Sequence, residues 1–324
     1  MNELNPKLSE LDANLARQMK DIVNKQNCLL MSFIAPKPVK TSPVDSDYAT
    51  ITVDDIYNIE RSIEVLTDKS ELPSKLHLVV NTPGGSTYAT TKIARYLRGL
   101  FQNIDVFVPY EASSGGTVFC LAANSIVMGN LANLTPIDPQ TVYKDEVVSA
   151  VSFEQAVEEL HRDFSKLRPA QIPSPYQQLI SELDPIFLKE KSKLVIDVIL
   201  VAWDLLEKSQ NPKTPEIESD KVKLAAWENR NKELLEIAKR LTRSFWPHSH
   251  LIGIEEAKEI GLNVSSEQEK LALLKVYKKW VSKRLEEPQI SHIIECYVPD
   301  KQEVRVPTPQ GIIQGSGDEA TIKA

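Results

Sequence analysis

Glycine is scarce in this chain, and the places where it concentrates constrain the fold. Only 11 of the 324 residues are glycine, yet four of them form two doublets, Gly84-Gly85 and Gly115-Gly116. Each doublet stands just beyond a short apolar run and just before a helical pattern. Leu76 to Val80 reads as a strand, Thr87 to Leu100 as a helix, Ile104 to Val108 as a strand, Gly115 to Asn124 as a helix and Ser125 to Met128 as a strand. Strands alternating with helices predict βαβ units on a parallel sheet, with right-handed crossovers. Glycine is needed where the backbone takes a positive φ or approaches another group closely, so doublets at equivalent strand ends predict two backbone walls of one cleft. The expected fold class is α/β.

The flanking segments extend this pattern. Residues 3 to 25 predict a helix, and Cys28 to Ile34 a strand that ends at Pro36 and Pro38. A second amphipathic helix is expected from Asp54, because Ile56, Ile59, Ile63 and Leu66 recur at helical spacing and Asp54 or Asp55 suits its N-terminus. From Ser152 to about Phe245 the strand signals stop. Helical pieces such as Phe187 to Leu206 and Val222 to Leu241 are broken at Pro169 to Pro175 and at Asn211 to Pro215. This reads as a helical insertion, with a separately folding helical domain as the alternative. Ile254 to Ile260 predicts a short helix stopped by Gly261, and Ser266 to Leu285 a longer one. The expected division is residues 1–151 as the first part of the core, 152–245 as the insertion, 246–306 as its completion with a C-terminal helix, and 307–324 as a flexible tail.

Composition removes several function classes. With 38 Lys+Arg against 45 Asp+Glu the formal charge is −7, and no basic block stands out, which argues against binding nucleic acid through its phosphates. No segment supplies the roughly 20 apolar residues of a membrane span. Leu194 to Leu206 comes nearest, but it is short and carries Asp197 and Asp204. The N-terminal segment lacks the basic start and apolar core of a secretory signal, so a cytoplasmic protein is the expectation. Three scattered cysteines, Cys28, Cys120 and Cys296, do not make a disulfide framework, and Cys120 lies in an apolar run as core filler.

The second doublet follows Ser113 and Ser114 and opens an apolar helix. A serine there sits at the positive end of the helix, where free backbone N–H groups can stabilise a developing oxyanion, as acyl transfer requires. The same serine could instead cap the helix. Three ordered segments carry a resemblance: Asn81-Thr82-Pro83-Gly84-Gly85-Ser86, then Ala112-Ser113-Ser114-Gly115-Gly116-Thr117 with Leu121 to Gly129, then Pro136-Ile137-Asp138-Pro139-Gln140. Together they resemble the ClpP-class serine peptidases, closest to the serine dehydrogenase proteinase family, relatives of signal peptide peptidase A. The resemblance resumes at His248-Ser249-His250-Leu251-Ile252-Gly253 and runs into Gly261-Leu262.

That resemblance implies a ClpP/crotonase-type spiral of ββα units with a helical insertion, a protein or peptide substrate, no cofactor and no metal. It selects Ser114 over Ser113 as nucleophile, with the N–H groups of Gly85 and Gly115 as the oxyanion hole and Gly84 allowing the chain to turn there. Ser86 and Thr87 are left to cap the following helix. The general base departs from the pattern, because Asp138 stands where ClpP itself has a histidine and Ser249 falls near the position of ClpP's aspartate. One arrangement makes His248 or His250 the base, His248 preferred, with Asp138 orienting it. Another is a Ser–Lys dyad using Lys144. Asp138 between two prolines could also only fix a turn, and His161 and His292 read as surface or core residues. A homo-oligomer is implied by the family and by the apolar insertion helices. The competing readings are a catalytically silent oligomeric scaffold and a crotonase-type acyl-thioester enzyme.

Overall fold

Most residues of the central strands are apolar and buried, which is the signature of a sheet covered on both faces. The computed structural model describes residues 6–35, 50–67, 71–143, 145–245, 248–285 and 292–299. Its elements run α1 (Pro6–Gln26), β1 (Leu29–Ile34), α2 (Val53–Thr67), β2 (Lys75–Asn81), α3 (Thr87–Leu100), β3 (Asn103–Val108), β4 (Glu111–Ala112), α4 (Gly115–Leu121), β5 (Ser125–Met128) and β6 (Asn133–Leu134). There follow β7 (Gln140–Tyr143), β8 (Glu146–Ser149), α5 (Ala150–Phe164), α6 (Ser174–Glu182), α7 (Pro185–Gln210), α8 (Pro215–Ser219), α9 (Lys221–Arg243), α10 (Ile254–Ile260), α11 (Gln268–Arg284) and β9 (Cys296–Tyr297).

The main sheet has the order β5-β3-β2-β1-β9, parallel except for the antiparallel edge strand β9. Strand alternation sorts its side chains into two layers. Leu29, Met31, Phe33, Leu78, Val80, Val106 and Ile126 face the large core beneath α2, α3, α4, α7 and α9. Leu30, Ile34, Val79, Phe107 and Val127 face α1 and α11, packing on Met19, Val23, Tyr277 and Trp280. Beyond the ends of the main strands the chain makes a second, shorter set of parallel pairings: Ile51 with Gly85, Thr82 with Ala112, and β4 with β6. Strand, short second strand, helix is the repeated ββα unit of the ClpP-type fold.

The expected strands and helices of the first half recur within a residue or two, and the helix expected to Asn124 ends at Leu121. Ile56, Ile59, Ile63 and Leu66 are all buried on α2. The hairpin β7–β8 and the strand β9 were not anticipated. Pro36, Pro38 and the tail 307–324 lie outside the described residues. The segment read as an insertion is helical, with α6 resuming inside the Pro169 to Pro175 break because Pro175 occupies the first turn. Val195, Val198, Ala202, Leu205 and Leu206 of α7, with Leu234, Ala238 and Leu241 of α9, belong to the same core as the sheet. These two helices therefore pack as a layer of the α/β core, which is at odds with a separately folding helical domain.

Candidate active site

The two glycine doublets meet. Beyond β2 the chain turns through Gly84 at φ 98° and Gly85 at φ 151°, conformations that L side chains rarely adopt. A Cβ on Gly84 would lie 2.8 Å from the Ser114 Cβ, and one on Gly85 would lie 2.3 Å from the Ile51 nitrogen. Ile51 holds this loop by accepting from Ser86 N and donating to Gly84 O, both at 2.8 Å. The Ser86 hydroxyl caps α3 by accepting from Ala89 N, as expected of it. The other wall is tied to the same strand end, since Thr82 N donates to Glu111 O and Ser113 N donates to Thr82 O, each at 3.0 Å.

Ser114 stands at φ 49° and ψ −108°, a strained conformation for a residue with a Cβ. Its N–H donates to Thr135 Oγ1 at 2.8 Å, and the Thr117 hydroxyl in turn donates to Ala112 O and Thr135 O. Neither serine caps α4: Ser114 makes no side-chain cap bond, and the Ser113 hydroxyl donates to Glu111 at 2.6 Å. Among the described residues the Ser114 hydroxyl and the N–H groups of Gly85 and Gly115 have no hydrogen-bond partner. The Gly84 N–H differs, because it donates to Thr82 Oγ1 at 3.2 Å.

Asp138 is more than the pivot of a proline turn. Its Oδ1 meets His248 Nδ1 at 2.6 Å, and its Oδ2 accepts from Gln140 Nε2 at 2.9 Å. Burial pushes the Asp138 carboxyl up, but hydrogen bonds from His248 and Ser149 and the attraction of His248 outweigh it and hold the group below the usual carboxylate value. An ionised carboxylate only accepts, so Nδ1 of His248 carries the hydrogen of this contact, and in the neutral imidazole Nε2 is then the nitrogen with the lone pair. His250 is committed elsewhere: its Nε2 lies 2.9 and 3.0 Å from the two carboxylate oxygens of Glu256, and its ring stacks on Phe245. The two histidines of the His-x-His pair thus turn to different carboxylates. Lys144 lies outside the described residues. His161 is exposed, whereas His292 is buried.

A cavity of about 250 Å³ opens between the walls. Gly85, Ser114, Gly115 and Asp138 line it on one side, and Val118, Ile137, Val198, Val201 and Ala202 supply apolar surface. The last three belong to α7, so the helical segment forms part of the site, a contribution that no local sequence signal locates. All three cysteines are buried and their thiols are raised by desolvation, Cys28 and Cys296 to about 12, which leaves them packing groups rather than nucleophiles. No group of three or more potential metal ligands occurs among the described residues, and no helix of them is long and apolar enough to cross a membrane.

Residues 4–163 match the family model of ClpP-like SDH-type serine proteinases. The match spans just under half of the chain. Two relatives come from Methanocaldococcus jannaschii. The uncharacterized protein MJ0137 is 28% identical over 86% of this chain and 84% of its own length. The uncharacterized protein MJ1495 is 26% identical over 68% of this chain and 60% of its own length. Among solved structures, a mutant of the 1510-N membrane-bound stomatin-specific protease aligns with 70% of this chain and 80% of its own, at 13% identity and a TM-score of 0.39. The similarity is to a serine proteinase family, and the Ser114 segment lies inside the matched region.

Proposed function

We propose that the chain is a serine peptidase that cleaves peptide bonds through an acyl-enzyme on Ser114. The observation that carries this reading is the Asp138–His248 pair at 2.6 Å, whose aspartate lines the same cavity as the strained Ser114. Ser114 Oγ attacks the scissile carbonyl carbon as its proton passes to His248 Nε2, and Asp138 holds the imidazolium that forms. The carbonyl oxygen becomes an oxyanion that accepts from the N–H groups of Gly85 and Gly115, donors with no competing partner. Collapse breaks the C–N bond, and the leaving amine takes the proton from His248. Water then attacks the ester, its proton passing through His248, to release the acid and restore Ser114.

In this reading Gly84 supplies the turn and not a donor, because its N–H is already engaged by Thr82. The aliphatic side of the cavity suits an apolar substrate side chain. The family's homo-oligomeric organisation is extended to this chain through exposed apolar side chains of the helical segment, with Ile196 49% and Leu200 46% exposed on α7, beside Val142 and Val147 of the β7–β8 hairpin. The division at residues 151 and 245 is kept as a division of labour within one core. Fluorophosphonate labelling tests the central claim. Wild type should label and Ser114→Ala should not, while Ser113→Ala retains most of the signal; equal labelling of Ser114→Ala would overturn the assignment.

A further inference from the structure

A second histidine–aspartate pair lies beneath the same loop, and the proposed chemistry does not use it. His292 and Asp55 are about 1% and 2% exposed. His292 Nδ1 is 3.2 Å from both carboxylate oxygens of Asp55, and its Nε2 is 3.1 Å from Thr82 Oγ1. The ring stacks on Phe33 at 4.2 Å, and Phe33 packs edge-on against Phe119 of α4. Since a carboxylate only accepts, Nδ1 donates to Asp55, and in the neutral imidazole that tautomer leaves Nε2 to accept from the Thr82 hydroxyl. The Thr82 oxygen in turn accepts from Gly84 N–H at 3.2 Å. Hydrogen bonds therefore run in one direction, from Gly84 through Thr82 and His292 to Asp55.

The same carboxylate reaches the opposite side of the loop. Asp55 Oδ2 accepts from Thr52 N at 2.8 Å, one residue beyond Ile51, which grips Gly84 and Ser86. His292 itself is delivered by the C-terminal segment, which pairs with β1 through Ile34 and Ile293. Burying such a pair costs desolvation that an apolar pair of equal volume would avoid, so its location at this loop calls for a local role. With the Gly84 N–H occupied and both flanks fixed, the amide of this turn that has no partner among the described residues is that of Gly85, which lines the cavity.

We propose that His292, acting with Asp55 through Thr82, is a positioning residue that aims the Gly85 N–H of the oxyanion hole. This rests on the serine-peptidase reading for its catalytic consequence, but the hydrogen-bonded relay can be tested without turnover. Thr82→Val keeps the shape and removes the hydroxyl. Amide hydrogen exchange at Gly84 should become at least about tenfold faster while β2, Lys75–Asn81, keeps its protection. The fluorophosphonate acylation rate constant should fall about 10- to 100-fold, with the apparent binding constant of the probe little changed, as expected when an oxyanion donor is misaimed. Thr82→Ser should recover most of the rate. His292→Phe, which preserves the stack on Phe33, should slow acylation in the same way and add little to Thr82→Val in the double variant. Should His292→Phe fail to fold, Asp55→Asn makes the same measurement, because it retains an oxygen for the Thr52 amide. Unchanged exchange at Gly84 in Thr82→Val, or changed exchange with an unchanged acylation rate in an enzyme that labels, would overturn the proposal. Faster exchange in a protein whose wild type never labels would uphold the relay and overturn the peptidase reading instead.

Discussion

Among the described residues, the histidine–aspartate pairs His248–Asp138 and His292–Asp55 are built from the same groups and placed in opposite circumstances. The His248 side chain is 32% exposed, with one ring nitrogen on Asp138, which lines the cavity, and none on any other described residue. His292 is buried, with Asp55 on one nitrogen and Thr82 on the other. An imidazole that keeps one nitrogen free can take and return a proton, whereas one engaged on both sides can only transmit geometry. The difference in role follows from the second nitrogen and from access to solvent.

Removing each ring should separate the roles, and the largest effect belongs to His248. His248→Ala should lower the acylation rate by about 10⁴-fold or more while costing little stability, because the ring is partly solvated. The converse outcome, a folded His292→Ala protein that loses the rate while His248→Ala keeps it, would reverse the comparison. His292→Ala should act first on stability, by about 3 to 5 kcal/mol in denaturant titration, because it strands the Asp55 carboxylate in the interior. A loss below about 1 kcal/mol would mean that water or a neighbouring group satisfies Asp55 as well as the histidine does.

Much of this architecture was legible in the sequence, and the gaps have physical reasons. The strands β1, β2, β3 and β5 declare themselves because both their faces are buried, so each carries a run of mostly apolar residues. The cleft was legible because backbone contact at Gly84 and Gly85 tolerates no side chain. The strands β4, β6 and β9 have two residues each and carry no periodicity to read. The β7–β8 hairpin has only exposed and half-buried positions, and its turn at Asp145 takes a positive φ without a glycine, so no glycine turn signal marks it. His292 meets Asp55 across 237 residues of chain, a pairing that exists only once β1 and the C-terminal segment have joined. The Asp138–His248 contact was anticipated only as one of two arrangements, because nothing local links the two segments.

The exposed pair should also answer to acid in a way that sharpens the contrast. The folded Asp138 carboxyl lies below its ordinary value of 3.8, so it contributes stability above the unfolded value, and that contribution is lost as pH falls through the lower, folded one. The stability difference between wild type and Asp138→Asn should therefore be full at pH 5 and shrink as the pH is taken below about 3.8. Chemical denaturation at several pH values measures this directly. A difference that grows on acidification would mean that the pair is not formed with an ionised Asp138.

The smallest effect is expected at the neighbour, His250. Its Nε2 is held by the half-exposed Glu256 carboxylate and its ring lies on Phe245, so the nitrogen that a base would need is already spoken for. Ion pairs of that exposure are worth about 0 to 1 kcal/mol, and the ring contact adds a comparable amount. His250→Ala should accordingly change the melting temperature by a few degrees at most and the acylation rate by only a few-fold. This variant is informative because the two histidines are separated by one residue and share a loop, so a disturbance of the loop as a whole would strike both alike. A loss of several orders of magnitude in His250→Ala with His248→Ala near wild type would transfer the base to His250 and require Glu256 to take the orienting part here given to Asp138. Comparable large losses in both would locate the defect in the loop's conformation, and the Asp138→Asn rate would then decide whether the Asp138–His248 contact matters to the chemistry at all.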